Sequence, residues 1–183
     1  MLSKKDKDRN RTEYFEKAKA ENIKLILIGQ DPYPDKIDNG IAFCKDEINK
    51  LNRTCFPTIC RSLDLPYQDY ELKFNNDGKK LFHFLLIKGI VFMNLSYELF
   101  VKGRDKSGLI FSYHKINWPV IEHFPSAKVI KLGLNYETQF KTHYGNGEII
   151  VHPSALARRH EKWSTYWEKQ GALIKKYSIK LNR

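Results

Sequence analysis

Residues 24–34 read Lys24-Leu25-Ile26-Leu27-Ile28-Gly29-Gln30-Asp31-Pro32-Tyr33-Pro34, and they give the clearest structural signal in the chain. The apolar run from Lys24 to Ile28 is typical of a strand buried on both faces of a parallel sheet. Gly29 lets the backbone turn, and the two prolines hold the residues before them in extended conformations. Asp31 and Tyr33 are therefore expected in a stiff loop at the carboxyl end of a strand, where open α/β sheets bind ligands. An Asp beside Pro is also ordinary turn chemistry, and the segment alone does not decide between the two.

The length and composition limit the class of protein. A chain of 183 residues is long enough for one core, so we expect a single domain over residues 1–183, with residues 1–11 flexible. Its hydrophobic content of 42% excludes a disordered chain, and no apolar run has the length of a membrane span. The charged start lacks the apolar core of a secretory signal, so we expect a cytoplasmic protein without membrane contact.

Charge and cysteine content indicate the partner and the compartment. The formal net charge of +11 favours a polyanionic partner, with nucleic acid the first candidate. The cysteines, Cys44, Cys55 and Cys60, form no CxxC pair, which fits a reducing compartment. No short spacing typical of a structural metal site is present, and we expect neither a metal nor a cofactor.

Predicted strands and helices alternate along the chain. The strands are expected at 24–28, 90–93, 128–132 and 147–151. The helices are expected at 12–20, 56–63, 79–88, around 117–121, 136–144 and 158–177, with 103–108 as a basic loop. This alternation predicts a three-layer α/β/α sandwich around a central, mainly parallel four-stranded sheet.

Polar residues follow several of these strands directly. Asp31, Asn94 and His152 each come within a few residues of a strand end, so a parallel sheet brings all three to one rim. For Asn94 alone, a capping or turn role is the simpler interpretation. For Phe43, which follows the Asp31 loop, a place in the hydrophobic core is the simpler interpretation.

Four short motifs together resemble a known family. They are Gly29-Gln30-Asp31-Pro32-Tyr33, Gly40-Ile41-Ala42-Phe43, Phe92-Met93-Asn94-Leu95 and His152-Pro153-Ser154-Ala155-Leu156. In order and in placement they resemble the motifs of family 1 uracil-DNA glycosylases, over roughly Lys24 to Gln170. Pro34 stands where most members have His, as in the poxvirus branch. Ala155 and Ala157 replace the usual Pro and Ser.

The resemblance implies an enzyme of base excision repair. Members flip deoxyuridine out of DNA and hydrolyse its N-glycosidic bond without metal or cofactor, releasing uracil and leaving an abasic site. By the matching motifs, Asp31 would orient the attacking water and stabilise the positive charge on the sugar. His152 would donate a hydrogen bond to uracil O2 as a neutral imidazole.

The same resemblance implies two sets of binding residues. In the substrate set, Asn94 would pair with uracil O4 and N3–H, Phe43 would stack on the base, and Tyr33 would exclude the methyl group of thymine. Gln30 is included in this set, because backbone amides near Gln30 would bind the DNA phosphates beside the uracil. The expected DNA-binding residues are Pro57, Thr58, Ser154, Leu156, Arg158 and Arg159, with Leu156 as an apolar wedge in the duplex.

Two other functions stay open at this stage. A DNA-binding or replication-accessory protein with weak or absent catalysis would share the fold and the charge of +11. A glycosylase with wider base choice is disfavoured by Tyr33 and Asn94. We expect a monomer that binds uracil-containing DNA. Further partners, such as a protein inhibitor or a replication protein, are not indicated by any motif.

Overall fold

A central sheet of four parallel strands organises the protein, whose computed structural model describes residues 2–32, 39–145 and 147–182. The strands are β1 (Leu25–Gly29), β2 (Ile90–Asn94), β3 (Lys128–Leu132) and β4 (Glu148–Ile150). Their order across the sheet is β2-β1-β3-β4, and every neighbouring pair is parallel. The order changes direction at β1, which creates a crevice beyond the carboxyl ends of the strands.

Helices flank the sheet and confirm the predicted α/β/α class. They are α1 (Lys4–Lys19), α2 (Phe56–Ser62), α3 (Tyr70–Lys73), α4 (Gly78–Ile87), α5 (Lys106–His123), α6 (Glu137–Tyr144), α7 (Trp163–Trp167) and α8 (Ala172–Lys176). Short 3-10 helices cover Ile48–Arg53, Tyr67–Asp69 and Ala155–Arg159. None of the helices in the described ranges combines the length and the apolar character that crossing a bilayer requires.

The core is built around β1, whose apolar side chains are buried on both faces as the sequence predicts. In the strand register, Gly29 at the end of β1 lies beside Asn94 at the end of β2. The edge strand β2 is closed on its outer side by Tyr14, whose hydroxyl accepts a hydrogen bond from the Phe92 N–H over 3.1 Å. The parallel pairing thus fixes where polar residues emerge from the core.

The first helix starts earlier than predicted. The expected start at Thr12 is wrong, because α1 begins at Lys4, with Ser3 and Asp6 forming a capping box. Residues 4–11, expected to be flexible, belong to this helix. Arg11 is only 6% exposed and its guanidinium lies 4.4 Å from the centre of the Tyr97 ring. This burial is tolerated because the guanidinium pairs with the Asp8 carboxylate at 2.6 Å and also lies over an aromatic face.

The predicted continuous helix over 158–177 is also wrong. Gly171, in the left-handed region with a φ of 66°, separates α7 from α8. The N–H of Gly171 instead donates to the Arg61 carbonyl over 2.9 Å, which ties this turn to α2. The predicted loop 103–108 is shorter than expected, since Asp105 caps α5 at Lys106. Pro119 lies inside that helix.

Candidate active site

A cavity of about 340 Å³ opens beyond the carboxyl ends of the central strands. Its lining comprises Gly29, Gln30, Asp31, Pro32, Phe43, Cys55, Asn94 and His152. The structure therefore brings Asp31, Asn94 and His152 to one rim, as predicted from the strand ends. Its volume is within the range of small-molecule sites, and its polar groups are few and convergent.

The tightest part of the cavity surrounds Gly29. A Cβ atom at this position would lie 2.6 Å from the Asn94 Oδ1 and 2.7 Å from the Phe43 Cζ, so only glycine fits. Phe43 itself has a φ of 63°, a left-handed conformation that costs a non-glycine residue roughly 1–2 kcal/mol. This backbone is held by packing, with the Phe43 ring 5.5 Å from the ring of Phe92. A strained aromatic residue aimed at a cavity is consistent with a ligand-binding role.

Asn94 is fixed through its backbone and leaves its side chain unpaired. Its carbonyl accepts from Asn117 Nδ2 over 2.8 Å, and its N–H donates to the Tyr97 hydroxyl over 3.3 Å. The residue is 3% exposed, yet its amide group makes no hydrogen bond to any other described residue. The amide atoms are not among the fully enclosed polar atoms of the described residues, so they open onto the cavity that Asn94 lines. They are therefore free to hydrogen-bond a ligand that offers both a donor and an acceptor.

Asp31 is oriented by hydrogen bonds to both carboxylate oxygens. Gln30 Nε2 donates to Oδ1 over 3.1 Å, and the backbone N–H of Phe100 donates to Oδ2 over 3.1 Å. Phe100 is in turn held by edge contact with Tyr136, with ring centres 4.8 Å apart. Phe100 is not among the residues predicted from the sequence, because a backbone donor from a distant loop has no signature in the sequence. The carboxylate is thus pre-positioned at the cavity wall.

His152 is held in one tautomer. The N–H of Ser154 donates to its Nδ1 over 3.1 Å, so the neutral ring carries its proton on Nε2. Burial, assisted by the nearby positive charge of Lys131, lowers the pKa of His152 below its ordinary value. The side chain is therefore a neutral hydrogen-bond donor at physiological pH.

Lys131 is an unexpected charge in the middle of the sheet. It is 1% exposed in β3, and its ammonium group donates to the carbonyl of Gly133. Burial lowers the pKa of Lys131 to about 8. A Cβ at Gly133 would be 3.7 Å from His152, so the lysine anchors backbone that packs on the imidazole. The sequence analysis treated Lys131 as an ordinary strand residue, and its strand pattern gives no sign of this burial.

The remaining predicted residues lie around the cavity or outside the described ranges. Tyr33, predicted beside uracil C5, and Pro34 are not among the described residues. Pro57 and Thr58 are half-buried in the first turn of α2, next to Cys55 but outside the cavity lining. Ser154 precedes the 3-10 helix at Ala155–Arg159, which carries exposed Leu156, Arg158 and Arg159.

No metal centre is evident in residues 2–32, 39–145 and 147–182, where no three His, Cys, Asp or Glu side chains are grouped to hold an ion. Cys44 and Cys60 are buried, and burial raises the pKa of both thiols. Cys55 is the thiol that lines the cavity.

No family model matches the chain, and no curated protein matches it.

Proposed function

We propose that the protein is a uracil-DNA glycosylase that hydrolyses the N-glycosidic bond of deoxyuridine in DNA. The observation that carries the proposal is the side-chain amide of Asn94, which opens onto the cavity and has no hydrogen-bond partner among the described residues. It lines the same small cavity as an oriented carboxylate and a neutral imidazole donor. A flipped pyrimidine base fits a cavity of this kind, because its polar edge and its flat faces need different partners.

Base recognition follows from the amide and the aromatic ring. Asn94 has one acceptor and one donor, which match the N3–H and the O4 of uracil. Gly29 leaves room for both the amide and the Phe43 ring, which supplies an apolar face for stacking. Pairing with the base would use an amide that no described protein group occupies.

The bond cleavage separates charge, and the cavity offers a partner for each sign. When the bond between the sugar C1′ and the base N1 breaks, the electron pair stays on uracil and positive charge develops on the sugar. Water then adds to C1′, and the proton that it loses balances the charge of the uracil anion, which leaves as neutral uracil. The Nε2–H of His152 would donate to O2 of the departing base. Asp31 would stabilise the sugar cation and orient the water that adds to C1′. Its hydrogen bonds from Gln30 and Phe100 hold the carboxylate ready for this role.

Delivery of the base requires extraction from DNA. The formal charge of +11 supports binding to phosphates, and Leu156 is 94% exposed beside the active cavity. An exposed leucine on a short helix is suited to enter the space that a flipped base leaves in the stack.

The test is single-turnover release of uracil from a labelled oligonucleotide in the presence of EDTA. Wild-type protein should release the base, and Asp31→Asn should lower the rate by at least about 100-fold because a key electrostatic group is neutralised. Asp69→Asn, an exposed carboxylate on the 3-10 helix Tyr67–Asp69, is the matched control and should leave the rate unchanged. A folded wild type that binds DNA but releases no base would overturn the proposal and favour an accessory DNA-binding protein.

A further inference from the structure

Two more cavities lie next to the cavity that contains Asp31, Asn94 and His152, which is called the active cavity here. The second, of about 420 Å³, shares Gln30 and His152 with the active cavity and includes the exposed Leu156. The third, of about 540 Å³, shares Arg159 and His160 with the second. The three cavities thus adjoin one another in series, and Asp31 lines only the first; this series is called the track below.

The far end of this track is an arginine groove, lined by Arg61, Arg158, Arg159, His160, Glu161, Trp163, Ser164 and Glu168. Among the described residues, none of its guanidinium groups has a carboxylate within 4.0 Å, although Glu161 and Glu168 lie on the groove. Arg158 is steadied by the ring of Trp163, 5.4 Å from its guanidinium carbon. Three unpaired guanidinium groups that meet in a concave surface favour an anionic ligand.

Two separate parts of the chain hold the groove together. Arg61 comes from α2, whereas the other lining residues come from 158–168. The carbonyl of Arg61 accepts a hydrogen bond from Gly171, which joins α2 to the turn before α8. Cys55, immediately before α2, lines the active cavity. Helix α2 therefore contributes to both places and fixes the position of the arginine groove relative to the active cavity.

We propose that one DNA strand follows this track, with the flipped nucleotide in the active cavity and phosphates on one side of it bound in the arginine groove. The proposal rests on the proposed glycosylase function and adds Arg61 as a DNA-binding residue. A polyanionic strand is the occupant that explains the continuity, because it needs a cation-lined path connected to the reacting base. A free nucleotide would not require the groove.

The test measures how DNA length on each side of uracil affects binding. Labelled single strands carry one deoxyuridine near either end, with about eight nucleotides extending in one direction only. Affinity is measured in the non-cleaving Asp31→Asn background. Extension on one side should tighten the Kd about tenfold more than extension on the other. Arg61→Gln and Arg158→Gln should each remove most of that difference.

The salt dependence gives a second readout. Each arginine variant should reduce the slope of log K against log salt by roughly 0.7, the value for one phosphate contact on a single strand. Lys115→Gln removes one exposed charge from α5 and should preserve both the asymmetry and the slope. Equal gains from both extensions, or asymmetry that survives in both arginine variants, would refute the track.

Uracil release by the wild-type protein, which retains Asp31, is measured on the same strands. This measurement separates the two proposals. Symmetric length dependence with normal release would remove the track and keep the glycosylase. One-sided binding without any release would keep the track and remove the glycosylase.

Discussion

The backbone N–H of Ser154 donates a hydrogen bond to the Nδ1 of His152 over 3.1 Å. Because Nδ1 must present a lone pair to accept it, the neutral imidazole carries its proton on Nε2. His160 receives the same type of bond from the N–H of Lys162 over 3.2 Å, but on the exposed surface. Burial of His152 opposes the charged form of its ring and lowers its pKa.

We expect the pKa of His152 in the folded protein to lie below the ordinary 6.5. Nitrogen-15 NMR should show the Nε2–H tautomer at neutral pH and a titration midpoint under that value. Lys131→Met removes a positive charge near the ring and should raise the pKa of His152. Lys128→Met, on the same strand but paired with Glu148 at 3.2 Å, is the control and should leave the midpoint in place. A midpoint above 6.5 in the wild type would contradict this account.

Gly29→Ala should abolish uracil release. The new Cβ would overlap the Asn94 amide and the Phe43 ring, so the cavity must distort, and overpacking of this kind costs roughly 1–3 kcal/mol of folding stability. Gly103→Ala is the control for stability. Gly103 has a φ of 84° with nothing within 4 Å of the added Cβ. The Gly103→Ala variant should therefore lose about 1 kcal/mol of folding stability through backbone strain alone and keep its activity. Thermal denaturation and base release measured on both variants distinguish the two effects, and full activity in Gly29→Ala would count against the site.

Leu156→Ala should slow uracil release from duplex DNA about tenfold more than from single-stranded DNA. A single strand has no stack to open, whereas a duplex loses stacking that an apolar side chain helps to offset. Leu72, which is 92% exposed on α3, provides a control of the same residue type. Leu72→Ala should alter neither rate. Equal slowing on both substrates by Leu156→Ala would argue against a wedge.

Lys131→Met removes a buried ammonium and also its hydrogen bond to the Gly133 carbonyl, so its effect on the free energy of unfolding should be more favourable at neutral pH than above pH 10.5, where the buried lysine is already neutral. The pKa of Lys131 is about 8 in the folded protein and 10.5 ordinarily, so between these values the unfolded chain binds the additional proton. The penalty from the buried charge is therefore complete below pH 8 and disappears as the pH rises to 10.5. Urea denaturation should show the stability difference between variant and wild type shrinking across this window. Lys128→Met should show no such change, and a difference independent of pH would refute the assignment.

The strand-end chemistry was predictable from the sequence because parallel strands all end on one rim. The apolar run before Gly29, and the polar residues after the strands, were sufficient to place Asp31, Asn94 and His152 together before any contact was known. The predicted sheet and most of its helices followed from local patterns of apolar residues. The error at residues 4–11 came from overlooking the capping box of Ser3 and Asp6, and the error at 158–177 occurred where left-handed Gly171 separates two helices.

The sequence by itself determined the parallel sheet, the residues that meet at its rim and the excess of positive charge, since each depends on local pattern or on composition. Only the tertiary structure decided which groups hold those residues in place. The Phe100 N–H donates to Asp31 from a distant loop. The charge of Lys131 acts on His152 from the neighbouring strand, and Arg61 lines the same groove as Arg158 from a different helix. Such pairings depend on how helices and loops pack over the sheet, and packing leaves no periodic signal in the order of the amino acids.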